Sequence, residues 1–101
     1  MKKISVLFVC LGNICRSPAA EAIFVHLMLK KGLTNSFIVD SAGTGSWHIG
    51  KKADSRMRIA AERRDINILS RARQITSKDF DEFNYIPVSY THLTLPTRLP
   101  V

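Results

Sequence analysis

The fold of this chain is decided by residues 9–18, which read Val-Cys-Leu-Gly-Asn-Ile-Cys-Arg-Ser-Pro. Before this stretch, the segment from Ile4 to Val9 is apolar at nearly every position, which is typical of a buried parallel strand. After it, apolar residues recur at helical spacing from Ala19 to Lys31. Residues 9–18 therefore predict a sharp turn at which a strand passes into a helix.

The turn brings a thiol, backbone N–H groups and a cation together. Cys10 stands at its mouth, where the positive end of the helix and Arg16 both favour a thiolate over a thiol. An isolated cysteine titrates at about pH 8.5, and such surroundings bring the pKa to about 3.5–7.5. The same N–H groups and guanidinium match the oxygens of a phosphate dianion. We therefore expect Cys10 to attack a bound phosphoryl group, and Arg16 to hold two of its oxygens.

The remaining pattern predicts strands alternating with helices. Ser17 is expected to cap the first helix, with Pro18 at its first position, and a second strand is predicted over 37–39. Residues 41–50, with three glycines, predict a loop. A strand, helix and strand of this length form a right-handed parallel crossover.

The second half of the chain continues this alternation. Helices with capping residues are predicted over 54–64 and 76–83, and residues 84–86 predict the start of a third strand. The prediction is therefore a single α/β domain.

The motifs resemble the low-molecular-weight protein tyrosine phosphatases, in which Cys-x5-Arg-Ser follows the first strand. The match covers about residues 4–86 and continues through Ala20-Glu21-Ala22, residues 39–44, residues 47–50, residues 72–75 and Asp79-Phe80. The resemblance implies a three-layer, doubly wound parallel sheet with an N-terminal phosphate-binding loop, truncated here after the third strand. It also implies hydrolysis of phosphotyrosine, or a related phosphoprotein, through a phosphocysteine intermediate, with phosphate and other oxyanions as inhibitors.

Site residues follow from the spacing and from the resemblance. Gly12 is expected to adopt a positive φ, and Asn13 and Ser17 to brace the loop, with Ser17 donating to the Cys10 thiolate. The resemblance adds Ser41 as the partner of Asn13. The residues expected to contact the substrate are Leu11, Gly12, Asn13, Ile14, Cys15, Ser17, Trp47 and His48.

Two of these positions have specific interpretations. The resemblance places Trp47 and His48 at the rim of the pocket, with Trp47 stacking on the aryl ring of phosphotyrosine; the alternative is Trp47 as a core residue. Cys15 either forms a reversible disulfide with Cys10, as the resemblance suggests, or simply fills the loop.

The general acid of the family is an Asp in an Asp-Pro pair, and this sequence contains no Asp-Pro. In many members of the family a histidine before the Ala-Arg-Gln segment braces the phosphate-binding loop, and here Ser70 or Arg71 occupies that position. We therefore expect the chain to bind phosphate but to turn over slowly, because general acid–base assistance is typically worth about 10²–10⁴ in rate.

Composition and charge bear on the partners and the location of the protein. The 101 residues carry a net charge of +7, and much of it lies between Lys51 and Arg73. This basic region is interpreted as a solvated helix face, as a surface that steers anionic substrates, or as a contact for nucleic acid. No apolar run approaches the ~18 residues of a membrane span, and no signal peptide is predicted, so we expect a cytoplasmic protein. No metal or cofactor is predicted.

Residues 87–101 differ from the rest, because they hold three of the four prolines and no acidic residue. We expect residues 1–86 to form the phosphatase-like part, and residues 87–101 to be either foreign sequence or a divergent ending. The isolated chain is expected to be marginally stable or prone to aggregate.

Two other functions compete with the phosphatase. An arsenate reductase shares this fold and loop but needs further cysteines, and none follows Cys15. A catalytically silent module that binds anions or nucleic acid would fit the basic charge and the missing acid.

Overall fold

The computed structural model describes residues 3–14 and 16–89, so Cys15 and most of the segment predicted to be unmatched (residues 90–101) lie outside it. The elements in chain order are β1 (Ile4–Cys10), α1 (Arg16–Lys31), β2 (Phe37–Gly43), α2 (Ser55–Glu62) and α3 (Ser77–Glu82). Two parallel strands alternate with helices as far as α2, and α3 follows α2 without a strand between them. The predicted α/β class is confirmed.

β1 lies between two parallel neighbours. It pairs with β2 in register from Ile4–Phe37 to Cys10–Gly43. On its other edge, Val6 bridges Tyr85 and Val9 bridges Val88, also in parallel. The predicted third strand is therefore present as separate bridges that extend beyond residue 86.

Pro87 explains why this third segment does not form a regular ladder. Tyr85 N–H donates to Ser5 O at 3.1 Å and Ser89 N–H donates to Val9 O at 2.8 Å. The residue between them should donate to the next carbonyl of β1, but proline has no N–H. One hydrogen bond of the ladder is therefore missing at its centre.

β2 is longer than the sequence predicts. Its pairing with β1 continues through Ser41, Ala42 and Gly43, which were expected to begin a loop. All three are buried. The small residues in this stretch predicted a loop. In the structure their small side chains allow β2 to pack directly against the turn that follows β1.

Capping explains where the helices begin, with one exception. Asp54 caps α2 by accepting from Arg56 N–H and Met57 N–H, and the predicted capping box at the start of α3 is present. The predicted cap of α1 is wrong, because the helix begins at Arg16 and Ser17 lies inside it. The Ser17 hydroxyl is used elsewhere, as described below.

Both faces of the sheet are covered. Phe24 of α1 packs between Phe8 and Phe37, with ring centroids 5.8 Å and 5.2 Å away. Leu7 and Val9 alternate with Phe8 and so face the other side. There they form a core with Ala42, and partly buried hydrophobic residues pack against it, namely Ile75, Phe83, Ile86 and Val88. The part of the chain described here contains no helix long and apolar enough to cross a bilayer.

Candidate active site

The turn between β1 and α1 lies at the carboxyl edge of the sheet, the edge at which open parallel sheets bind ligands. Cys10 is the last residue of β1 and is only 4% exposed. Six residues later the chain enters α1 at Arg16. The thiol is therefore fixed by a buried strand, and the loop around it is fixed at both ends.

Within residues 3–14 and 16–89, the Asn13 N–H and the Ser17 hydroxyl approach the Cys10 sulfur. The Asn13 backbone N–H donates to Sγ at 3.2 Å, and the Ser17 hydroxyl lies 3.0 Å from Sγ. Because a hydroxyl can donate to a thiolate, both groups can stabilise the charged form of the sulfur. The expected Ser17–Cys10 contact is present in this geometry.

Asn13 holds the loop in shape. Its φ of 58° lies in the left-handed region, which asparagine tolerates better than most residues. Its amide nitrogen donates to Ser17 Oγ at 2.7 Å and to Ser41 Oγ at 3.1 Å. The contact of Asn13 with Ser41, which the resemblance implied, is present, and the contact with Ser17 is an additional one.

Gly12 and Gly43 allow close packing at the loop, whereas the sequence predicted that Gly12 would supply a positive φ. The positive φ expected at Gly12 occurs one residue later, at Asn13. Gly12 serves close packing instead, because a Cβ there would lie 2.9 Å from Cδ2 of His48. A Cβ on Gly43 would lie 3.0 Å from backbone atoms of residues 11–13. Sequence reasoning missed Gly43, although a glycine within a strand often marks such a close approach.

The carbonyl groups of the loop point away from its interior. Cys10 O accepts from Thr44 N–H at 2.9 Å, and Leu11 O accepts from Gly45 N–H at 2.8 Å. In a planar trans peptide the following N–H points in the opposite direction. The N–H groups of Leu11 and Gly12 therefore face the side of the loop opposite Thr44 and Gly45.

Leu11 and Ile14 lie within the loop, and Arg16 lies where the loop joins α1. Arg16 is exposed at the first position of α1, and its Nη1 donates to Ser89 Oγ at 3.2 Å. Leu11 is 46% exposed, and Ile14 is half-buried, with its carbonyl accepting from Asp54 N–H at 2.7 Å.

Trp47 and His48 lie in a turn beside the loop. Trp47 is 67% exposed, which argues against the alternative of a core residue, and a Cβ on Gly45 would overlap its ring. His48 packs next to Gly12. The Trp47 side chain thus lies at the surface with one of its faces toward Gly45.

A partly buried carboxyl lies behind the loop. Ser41 Oγ donates to Glu21 Oε1 at 2.6 Å while it accepts from the Asn13 amide. Burial raises the pKa of Glu21, and the hydrogen bond from Ser41 opposes the increase. Glu21 lies in the Ala20-Glu21-Ala22 motif, but no local signal in the sequence pairs it with Ser41.

Arg73 was also missed by the sequence analysis. Its backbone N–H donates to Asn13 Oδ1 at 2.9 Å, and its guanidinium contacts Asp40 and Asp79. Hydrogen bonding to Asp79 raises the pKa of Arg73, and the same contact lowers the pKa of Asp79. Among residues 3–14 and 16–89, no three His, Cys, Asp or Glu side chains are grouped so that they could hold a metal ion.

The family model of the low molecular weight phosphotyrosine protein phosphatases matches residues 5–91. A phosphatase of that name from Schizosaccharomyces pombe is 48% identical over 86 residues, which are 84% of this chain and 55% of the relative.

Solved structures are also similar to this chain. YfkJ from Bacillus subtilis aligns with a TM-score of 0.84 and 49% identity, over 87% of this chain and 56% of that one. The Drosophila arginine phosphatase aligns with a TM-score of 0.79 and 41% identity, over 82% and 52%. The chain spans about half the length of these relatives. On this evidence the chain belongs to the low molecular weight phosphotyrosine protein phosphatase family.

Proposed function

We propose that this chain carries the nucleophile and the phosphate-binding loop of a cysteine-dependent phosphomonoester hydrolase. The observation that supports the proposal best is the position of Cys10 Sγ, buried at the end of β1 within reach of the Asn13 N–H and the Ser17 hydroxyl. Two donors at a sulfur are what a thiolate nucleophile requires.

The reaction has two steps. The Cys10 thiolate attacks phosphorus, an S–P bond forms, and the P–O bond to the leaving group breaks. Water then attacks phosphorus and breaks the S–P bond, which releases phosphate and restores the thiolate. The N–H groups of Leu11 and Gly12, together with the Arg16 guanidinium, would hold the phosphoryl oxygens and the charge that develops on them.

Protonation of the leaving oxygen by a general acid assists the first step. Three candidate carboxylates are engaged elsewhere, since Asp40 and Asp79 bind Arg73 and Asp54 caps α2. We therefore assign no general acid, and the chain should react faster with activated aryl phosphates, whose leaving groups need no proton.

The preferred substrate is proposed to be phosphotyrosine in a protein. Exposure of the Trp47 ring beside the loop supports this choice, because an indole presents a flat surface to an aryl ring. A phosphorylated arginine is the second candidate, favoured by the similarity to the Drosophila arginine phosphatase. Because a thiolate nucleophile needs a reducing environment, we place the protein in the cytoplasm.

The other functions have less support. An arsenate reductase is less well supported, because the family model that matches this chain and the relative from Schizosaccharomyces pombe are phosphotyrosine protein phosphatases. A catalytically inactive module that binds anions or nucleic acid would not explain why the Asn13 N–H and the Ser17 hydroxyl contact the Cys10 sulfur. Such a module would also bind DNA with a strong dependence on salt concentration.

The test compares the wild-type chain with Cys10→Ser. Hydrolysis of p-nitrophenyl phosphate should be slow but measurable in the wild type and should disappear in the variant, whereas inorganic phosphate should bind both. Phosphate should also protect the wild-type Cys10 from iodoacetamide. Equal hydrolysis by the two proteins, or a lack of protection by phosphate, would overturn the proposal.

A further inference from the structure

Arg73 joins the Cys10 loop to two other elements of the fold. We propose that it is a positioning residue for the Cys10 thiolate, acting through Asn13. The significance of this role for catalysis rests on the function proposed above, whereas its effect on the reactivity of Cys10 can be measured independently of turnover.

The guanidinium is held firmly. Nη1 and Nη2 each lie 3.0 Å from one carboxylate oxygen of Asp79, in a bidentate pair, and Nε donates to Asp40 Oδ2 at 3.2 Å. The Asp79 side chain is only 5% exposed and also accepts from Thr76 N–H at 2.8 Å. A planar fork held on two sides fixes the orientation of the Arg73 side chain.

This anchor fixes the backbone of Arg73 between β2 and the loop. Its carbonyl accepts from Gly43 N–H at 2.8 Å, and its N–H donates to Asn13 Oδ1 at 2.9 Å. The amide nitrogen of Asn13 already faces two hydroxyl groups, so its oxygen must face a donor. Arg73 supplies that donor and thereby sets the orientation of the Asn13 amide.

The orientation of Asn13 in turn determines what reaches the sulfur. The left-handed conformation of Asn13 is intrinsically unfavourable and persists only where its surroundings enforce it. In this conformation its backbone N–H lies 3.2 Å from Cys10 Sγ. A shift of the Arg73 backbone would therefore withdraw a donor from the thiolate, although Arg73 does not touch the thiol.

The first experiment measures the rate at which iodoacetamide alkylates Cys10 in the wild type, in Arg73→Lys and in Arg56→Lys, at a pH below the midpoint of the wild-type pH–rate profile, where the rate follows the thiolate fraction. Fragment-ion mass spectrometry separates Cys10 from Cys15. Lysine keeps the charge but cannot form the fork, so the rate should fall about tenfold, the value of one charge-assisted hydrogen bond. Arg56 is also paired with an aspartate, Asp54, but it lies at the surface and should leave the rate unchanged.

A double-mutant cycle separates positioning from general destabilisation. If Arg73 acts through Asn13, Arg73→Lys should slow alkylation in the wild type but not in Asn13→Ala. Equal slowing in both backgrounds would overturn the proposal. Should Arg73→Lys fail to fold by circular dichroism, Asp79→Asn takes its place in the cycle, because it weakens the fork from the other side.

The outcomes also distinguish this proposal from the proposed function. If phosphate does not protect the wild-type Cys10, the phosphatase proposal fails while the alkylation rates still report on Arg73. If phosphate protects Cys10 but Arg73→Lys and Asp79→Asn leave the rate unchanged, the positioning role fails alone.

Discussion

Ser17 Oγ lies 3.0 Å from Cys10 Sγ, so that a hydroxyl on the first turn of α1 reaches back to the last residue of β1. The same oxygen accepts a hydrogen bond from the Asn13 amide at 2.7 Å. The hydroxyl thus accepts from one neighbour and can donate to the Cys10 thiolate, with the Ala42 carbonyl 3.4 Å away as its other acceptor.

Removal of this hydroxyl should make Cys10 less reactive. Below the midpoint of the wild-type pH–rate profile, where the rate follows the thiolate fraction, Ser17→Ala is expected to slow alkylation of Cys10 by about 10- to 100-fold, because a hydrogen bond to a charged group is worth about 1.5–3 kcal/mol. Ser46→Ala, which alters an exposed serine in the neighbouring loop, is the control. Equal rates for the two variants would show that the Ser17 hydroxyl does not stabilise the thiolate.

Gly43 should be intolerant of any side chain. In Gly43→Ala the new Cβ would lie 3.0 Å from backbone atoms that cannot move separately from the loop, so both stability and phosphate binding should decrease. Gly32→Ala is the matched control, because its Cβ would meet no atom within 4 Å while its φ of +68° still makes alanine unfavourable there. Urea denaturation and phosphate titration should show that Gly32→Ala loses stability alone.

Glu21 should make the stability of the chain depend on pH. Burial is the main reason that the pKa of Glu21 is raised above the ordinary value of 4.5, so folding favours the protonated form. The stabilisation is complete below pH 4.5 and is lost as the pH rises through the pKa of the folded state. Glu21→Gln should therefore gain stability relative to the wild type between pH 4.5 and pH 7.

Urea denaturation at several pH values checks this sign, and Glu62→Gln on the exposed face of α2 controls for the loss of one negative charge. A wild-type advantage over Glu21→Gln that grows with rising pH would contradict the assignment, since it would mean that folding favours the ionised carboxylate.

Trp47 should matter for aryl substrates in particular. Trp47→Ala is expected to raise KM for p-nitrophenyl phosphate about three- to tenfold, because aromatic pairs contribute about 0.5–1.5 kcal/mol beyond their buried area. Trp47→Phe keeps an aromatic ring and should therefore raise KM less than Trp47→Ala does. An equal loss with acetyl phosphate, which has no ring, would exclude stacking as the cause.

Local signals in the sequence were sufficient for part of this structure. Strand β1, the turn at Cys10, the Asp54 cap and the capping box of α3 each depend on residues only a few positions apart, and all were predicted. The family resemblance correctly led to Asn13 and Ser41 as partners. The third parallel segment was also predicted, although Pro87 interrupts its ladder.

The tertiary structure decided how these parts work together. Ser17 has the sequence of a helix cap, yet α1 begins at Arg16, two residues earlier than that cap predicts, and the Ser17 hydroxyl contacts a thiol. Arg73 and Gly43 approach the loop from 60 and about 30 residues away, a separation at which no periodicity or capping pattern operates. The amino-acid sequence alone placed Cys10 where a strand turns into a helix, because strand, turn and helix are encoded locally. Only the packed fold determined which groups surround that sulfur, because those contacts form when distant segments are buried against each other.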